Sequence, residues 1–435
     1  MGAFLEEVDI LISDCAIVTM DARRPIIERG FIAVKNGKIV NIGKRASASL
    51  TIKAEKTIQG KEKVALPGLV NCHTHVPMTL LRGLAEDKQL DEWLKETIWP
   101  LEAKLKPGNI YDGALLGCLE MIKSGTTCFA DMYFHEEAVA KAVEEAGLRA
   151  VLAEGIIESG DSTSGTKMLR SATEVAENLD GFADGRVRVR LGPHAVYSCS
   201  PDLLRKVRES AQRLNVGVHI HLAESAEEAE PLGEVELLDS VGFFSGIDVL
   251  AAHCIHLSEK DMRTLARRGV TVAYNPVANM KLAMGAPKIA DLLGLGVTVG
   301  IGTDGPASNN TLDMLESMKA AALLQKVSSL NPTALPAETV LKMATIEGAR
   351  ALKLEKYIGS LEAGKRADII LLDFDKPHLT PRHNLYANIV YSAHGSDVDT
   401  VIVDGKVLME NRKVKTVDET KVVQRAQRTA LELVK

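Results

Sequence analysis

Histidines and carboxylates gather at the ends of apolar runs in this sequence. Asn71-Cys72-His73-Thr74-His75 closes one run and His219-Ile220-His221-Leu222-Ala223-Glu224 another. Gly192-Pro193-His194, His253 and Gly302-Thr303-Asp304 close three more. In an extended strand, residues i and i+2 face the same side, so His73 and His75 can reach one ion together. His219 shares a face with His221 but lies two residues deeper, which suits a supporting or core position better than a ligand. A lone His-x-His can equally satisfy backbone carbonyls, and Asp304 could be a turn residue before Gly305-Pro306. The joint placement carries the signal: five strand ends offer the donors of a divalent cation with acid–base groups beside it. His135 and His256 read as caps or surface groups, while His378, His383 and His394 are far from the cluster in sequence.

A scaffold must bring those ends together. Between about 65 and 360, eight strand-like runs alternate with helical patterns: 64–73, 125–132, 149–156, 187–194, 216–222, 249–254, 270–275 and 297–303. Candidate helices include 135–147 and 201–214, the latter opened by Ser200-Pro201-Asp202, a cap followed by proline. Eight such units in about 290 residues predict an α/β fold, a (β/α)8 barrel with its site at the C-terminal ends of the strands. A doubly wound sheet is the alternative, but its usual glycine turn is missing from the first unit. Gly300-Ile301-Gly302-Thr303-Asp304-Gly305 matches G-x-G-x-x-G formally. It falls in the last unit with no acidic strand end ~20 residues on, so it predicts no dinucleotide site.

Both ends of the chain alternate like half-buried strands. Asn36-Gly37 and Asp404-Gly405 predict tight hairpins, and 367–373 is a further strand-like run. Together they predict a small β-sandwich assembled from both termini, giving units 1–63, 64–360 and 361–435. Thr416 and Glu419 form a T-x-x-E box. Val422, Val423, Ala426, Ala430, Leu433 and Val434 follow at helical spacing, so a terminal amphipathic helix is expected.

Composition narrows the partners. The 435 residues are 46% apolar and 25% charged, ordinary for a globular protein. A net charge of −6 leaves no global basic field for nucleic acid or an anionic membrane. No run approaches the ~18 apolar residues of a span. The start, MGAFLEEVDILISD, lacks the basic and apolar regions of a signal peptide. Six scattered cysteines without a C-x-x-C pair read as reduced thiols, so a cytoplasmic location is expected.

With these residues in hand, the chain resembles the amidohydrolase superfamily, whose barrel opens with His-x-His. Several segments resemble the 5-methylthioadenosine/S-adenosylhomocysteine deaminase family: PGLVNCHTHVPMTLLRG (67–83), DEWLKETIWPLE (91–102), GPHAVYSCS (192–200), HIHLAES (219–225), NMKLAMG (279–285) and GTDGPASNNTLDM (302–314). The resemblance covers essentially the whole chain, split β-sandwich included. It implies His73, His75, His221 and Asp304 as ligands of one divalent metal. Three imidazoles and a carboxylate suit Zn²⁺, and Fe²⁺ or Mn²⁺ would accept them too. The lysine that bridges a dinuclear centre is missing from 149–156 and 187–194.

The same resemblance implies the remaining roles. Glu224 would move the water proton to a ring nitrogen, with His253 and Asp304 orienting the nucleophile. His194 would contact the purine and Glu102 the ribose, while Trp93 is expected to stack on substrate. The implied reaction is hydrolytic loss of the adenine 6-amino group from 5′-methylthioadenosine, 5′-deoxyadenosine, adenosine or S-adenosylhomocysteine. One departure concerns the last. Where relatives that accept it present arginines, this chain has Glu154 and Met168, with Arg170 nearby, which favours uncharged 5′-substituents. The implied partner is a small nucleoside, without nucleic acid or membrane, and a homo-oligomer is expected by analogy. Two other readings stay open: a metal hydrolase of another nitrogen ring (guanine, isocytosine or a chlorotriazine), and a non-catalytic scaffold on the same fold.

Overall fold

Asn36-Gly37 and Asp404-Gly405 both make the expected two-residue turns, with φ positive at all four residues. The computed structural model describes residues 6–44, 52–84, 86–88, 92–158, 162–226 and 233–435. The turns belong to one mixed sheet drawn from both ends of the chain. Its strands are β1 (Glu6–Val18), β2 (Ile26–Lys35), β3 (Lys38–Lys44), β4 (Ile52–Gln59) and β5 (Lys63–Pro67). From the other end come β14 (Ile369–Asp373), β15 (Val398–Val403), β16 (Lys406–Glu410) and β17 (Lys413–Val414). Antiparallel pairing of β5 with β14 joins the two sets. The sheet forks at β1, which pairs with antiparallel β2 on one side and with parallel β4 and then β5 on the other. Ile12, Ile17, Ile32, Ile39, Ile369, Leu371 and Ile402 form its buried core, so neither terminus completes that core alone.

The second sheet is the barrel. Its strands are β6 (Leu69–Thr74), β7 (Thr126–Tyr133), β8 (Arg149–Ile156) and β9 (Val187–Pro193), then β10 (Gly217–Leu222), β11 (Val249–His253), β12 (Thr271–Tyr274) and β13 (Val299–Ile301). All pair in parallel in sequence order. Most are buried along their whole length, as expected for strands covered on both faces. Where β13 comes round to β6, side chains close the seam. Asn71 Nδ2 donates to Thr303 Oγ1 (2.7 Å), and the Thr303 N–H donates to Asn71 Oδ1 (3.0 Å). The Asp304 N–H donates to the His73 carbonyl (2.9 Å).

Two expectations are corrected. The run 64–73 is two strands, split at Gly68. The Gly68 N–H donates to the Asp368 carbonyl, in the terminal half of the sheet, whereas that of Leu69 donates to Gly125 at the barrel. A Cβ on Gly68 would stand 2.0 Å from Thr127 Oγ1, so only glycine passes this crossing. Lys63–Pro67 accordingly lies in the terminal sheet. The last helix, Glu419–Leu433, is capped by Asp418, whose side chain accepts from the Lys421 N–H, and not by Thr416. Thr416 instead donates to the Ala146 carbonyl, and Glu419 accepts from the Val414 N–H. Val423 and Val434 are exposed, while Thr429 is buried and donates to Asp112 (2.7 Å).

Helices Glu136–Ala146 and Pro201–Leu214 stand where expected, and the Ser200 side chain caps the second. All six cysteines are buried free thiols. Among the described residues, no helix is long and apolar enough to cross a membrane.

Candidate active site

The three imidazoles expected to bind metal are each held by Nδ1, leaving Nε2 to point at a common spot. His75 Nδ1 contacts the Met132 carbonyl (2.6 Å), His221 Nδ1 the His194 carbonyl (2.8 Å), and His73 Nδ1 the His219 Nε2 (2.9 Å). A carbonyl can only accept, so His75 and His221 must carry their protons on Nδ1. His73 Nε2 is buried without a hydrogen-bond partner. His75 and His221 bring their Nε2 atoms to 3.3 Å from each other. Asp304 Oδ1 lies 3.3 Å from His73 Nε2 and 3.2 Å from His75 Nε2. Metal–ligand arms of ~2.0–2.1 Å make a tetrahedron with edges of about 3.3 Å. The donor set and its spacing therefore fit one divalent ion.

Electrostatics agree with the geometry. Burial pushes His73 down to about 3. Burial opposes charge on His75 as well, but Asp304 and the Met132 carbonyl lift it to about 9. Despite burial, those two imidazoles hold Asp304 well below the usual carboxylate range. A buried carboxylate that draws a proton onto its neighbour is a place where a cation lowers the energy. His73, His253 and Asp304 also converge within 4.8 Å, so His253 borders the same spot. His253 Nε2 is 3.6 Å from Glu224 Oε1.

Strained backbone aims these groups. Ala223, His253, Cys254 and Asp304 all have φ between 50° and 71°, unusual for residues with side chains. Gly302 lets β13 approach β6: a Cβ there would meet the His73 backbone at 2.9 Å and Asn275 Oδ1 at 2.3 Å.

A cavity of about 730 Å³ opens above the cluster. His75, His194, His221, Glu224, His253 and Asp304 line its floor and sides, with Trp93, Glu102, Tyr133 and Leu282. His73 lies deeper. Trp93 is buried with its indole N–H unpartnered, and Trp99 sits half-exposed at the mouth. The His194 ring contacts Ser198 Oγ (2.9 Å), and burial pushes it down to about 4, so it is neutral at physiological pH. Burial raises the Glu102 carboxyl, against the Tyr133 hydroxyl and the charge of His75.

A second, more open cavity of about 900 Å³ shares Trp99, Glu102 and Phe134 with the first and adds His135, Glu154 and Met168. Arg170 lines neither; it pairs with Glu174 on an exposed helix face (2.9 Å). Glu154 accepts from the N–H groups of His135 (3.1 Å) and Glu136 (2.8 Å), capping the helix Glu136–Ala146 from the end of β8. His135 thus supplies backbone to that cap, and His256 holds the Met284 carbonyl (2.9 Å). His378 pairs with Asp397 in the terminal region (2.8 Å).

His219 backs His73 from the supporting position expected of it (2.9 Å). Sequence reasoning left two other supporting residues without roles: Asn279 contacts His253, and Ser308 donates to Asp304 Oδ2 (2.6 Å). Asn279 and Ser308 lie inside the segments 279–285 and 302–314, which is the one signal that could have found them.

Comparison with known proteins places the chain among relatives. Residues 64–408 match the Amidohydrolase family. A 5-methylthioadenosine/S-adenosylhomocysteine deaminase of Desulforamulus reducens is 49% identical over 430 residues, covering 98% of this chain and 99% of its own. A 5′-deoxyadenosine deaminase of Methanosarcina mazei is 48% identical over 432 residues, 98% of each chain. The crystal structure of an adenosine deaminase from Xanthomonas campestris with bound zinc superposes with a TM-score of 0.93 at 33% identity, covering 99% of this chain and 100% of that one.

Proposed function

The chain belongs to the amidohydrolase family, and from that premise we propose the part each side chain takes in its reaction. The protein is a metal-dependent deaminase of 5′-modified adenosines. His73, His75, His221 and Asp304 hold one divalent ion, zinc by donor type and spacing. Bound there, the ion supplies Lewis acidity that brings the pKa of water from 15.7 to near neutrality.

The chain's own groups do the rest. Glu224, beside the ligands but not among them, takes a proton from the attacking water and delivers it to a ring nitrogen. The C6–O bond forms, the remaining hydroxyl proton passes to the 6-amino nitrogen, and the C6–N bond breaks to release ammonia. His253 and Asp304 orient the nucleophile from two sides. Neutral His194 hydrogen-bonds the purine, Glu102 takes the ribose hydroxyls, and Trp93 covers the ring face. The 5′-substituent extends toward the second cavity, past Glu102. Glu154, standing where an arginine would pair with a carboxylate tail, supplies no cation to it, so uncharged substituents are preferred.

The carrying observation is that His75 Nε2 lies 3.3 Å from His221 Nε2 and 3.2 Å from Asp304 Oδ1, which is itself 3.3 Å from His73 Nε2, with the Glu224 carboxylate 3.6 Å from His253 beside them. An ultraviolet assay of adenine-to-hypoxanthine conversion tests the reading. Adenosine, 5′-deoxyadenosine and 5′-methylthioadenosine should turn over, S-adenosylhomocysteine with lower kcat/KM. Ammonia from guanine or chloride from a chlorotriazine, and no turnover of any nucleoside, overturns it.

A further inference from the structure

Three constraints meet on His253. Its backbone and that of Cys254 are left-handed, with φ 71° and 53°, and the Cys254 N–H donates to the Leu222 carbonyl (2.9 Å). That bond ties His253 to the strand that carries His221 and leads into Glu224. The ring is gripped from the far side. His253 Nδ1 lies 3.0 Å from Asn279 Oδ1, and the Asn275 amide nitrogen sits 3.5 and 3.4 Å from the two ring nitrogens. Both asparagines are buried.

The Asn279 contact has a definite chemical direction. An amide oxygen only accepts, so His253 must donate from Nδ1. Among the described residues Asn279 Nδ2 has no partner, and the residue is fixed within the helix Pro276–Lys281 by its own N–H bond to the Asn275 carbonyl (3.0 Å). Nε2 is then the nitrogen facing Glu224 at 3.6 Å. A ring free to rotate or to change tautomer would present a donor to the attacking water in part of its population instead of a lone pair.

We propose that Asn279 is a positioning residue that fixes His253 as its Nδ1–H tautomer, with Nε2 turned to the reacting carbon beside Glu224. The inference rests on the reading above, in which His253 and Glu224 flank that carbon. It gives the segment 279–285 a physical task that metal binding and substrate contact do not require.

Two measurements on the zinc-loaded protein test it. The first is ¹⁵N–¹H correlation of histidine-labelled wild type, with His253→Gln identifying the resonance; an Nδ1–H signature is expected. An Nε2–H signature overturns the proposal, whatever any variant does. The second compares Asn279→Leu, similar in size but without an acceptor, with Asn279→Asp, which keeps one. The Leu variant should lose ~10–100-fold in kcat with KM within ~3-fold and metal content unchanged. The Asp variant should recover most of that loss. Wild-type kcat in the Leu variant, or equal loss in both with metal retained, overturns the proposal. The underlying reading fails differently, by a wild type that binds metal yet deaminates no nucleoside.

Discussion

A carboxylate three residues past a ligand is useful only while it stays off the metal. Glu224 does so: its oxygen lies toward His253, and the converging donor sets are built from His73, His75, His221, His253 and Asp304. Glu224→Gln keeps the shape and removes the proposed proton carrier. Bound metal should remain at wild-type stoichiometry while kcat falls by ~10² or more, the usual worth of a general acid–base group. Metal analysis beside steady-state kinetics decides it, and near-normal kcat would remove Glu224 from the mechanism. The ligands were legible in the sequence because their types are rare at strand ends and their spacing has the period of a strand. Their supports were legible only in part: His219 shares a strand face with His221, but His253 finds Asn279 across 26 residues and Asn71 finds Thr303 across 232. A hydrogen bond between distant residues has no local period to betray it.

Strands and turns were read well where a local conformation decides them, and poorly where a tertiary contact does. Asn-Gly and Asp-Gly need positive φ, so the hairpins follow from residue type. Gly68 interrupts no apolar pattern, and the departure from one sheet to the other there is enforced by Thr127, far along the chain. Gly68→Ala should destabilise by about 1–3 kcal/mol through overpacking, measured by denaturant midpoint, with kcat of the folded fraction retained. Wild-type stability would mean that Thr127 yields without cost. Glu154 offers a test with a sign. Burial lifts its carboxyl from 4.5 to about 7, even against the two N–H groups it caps. Between those values the folded chain holds a proton that the unfolded chain has released. Its favourable contribution is thus full below about 4.5 and is lost as pH rises through about 7. Glu154→Gln stays neutral and lacks that slope. Relative to the variant, wild type should lose up to about 3 kcal/mol of unfolding free energy from pH 5 to pH 8. Parallel curves for the two proteins would show that Glu154 titrates normally.

At the scale of the molecule, the metal site is also a closure. The barrel order runs from β6 to β13, and among the described residues no strand ladder joins these two. Asn71, Thr303 and the Asp304 N–H bridge them on one level. One layer above, His73 and His75 stand on or beside β6, Asp304 follows β13, and His221 comes from β10 opposite. An ion held by all four therefore staples the seam to the far wall, while the terminal sheet, with its own core, contributes no ligand. A cation that binds only the folded chain stabilises it by about 4 kcal/mol at a thousandfold excess over Kd. Chelation should lower the thermal midpoint by roughly 4–5 °C. The location of the change is the sharper test. Amide exchange should rise in Leu69–Thr74 and from Val299 to Asp304, with β1, β2 and β14 keeping their protection. Equal loosening of both sheets would make the ion a general stabiliser, and no change at the seam would leave the Asn71–Thr303 bridge as its only lock.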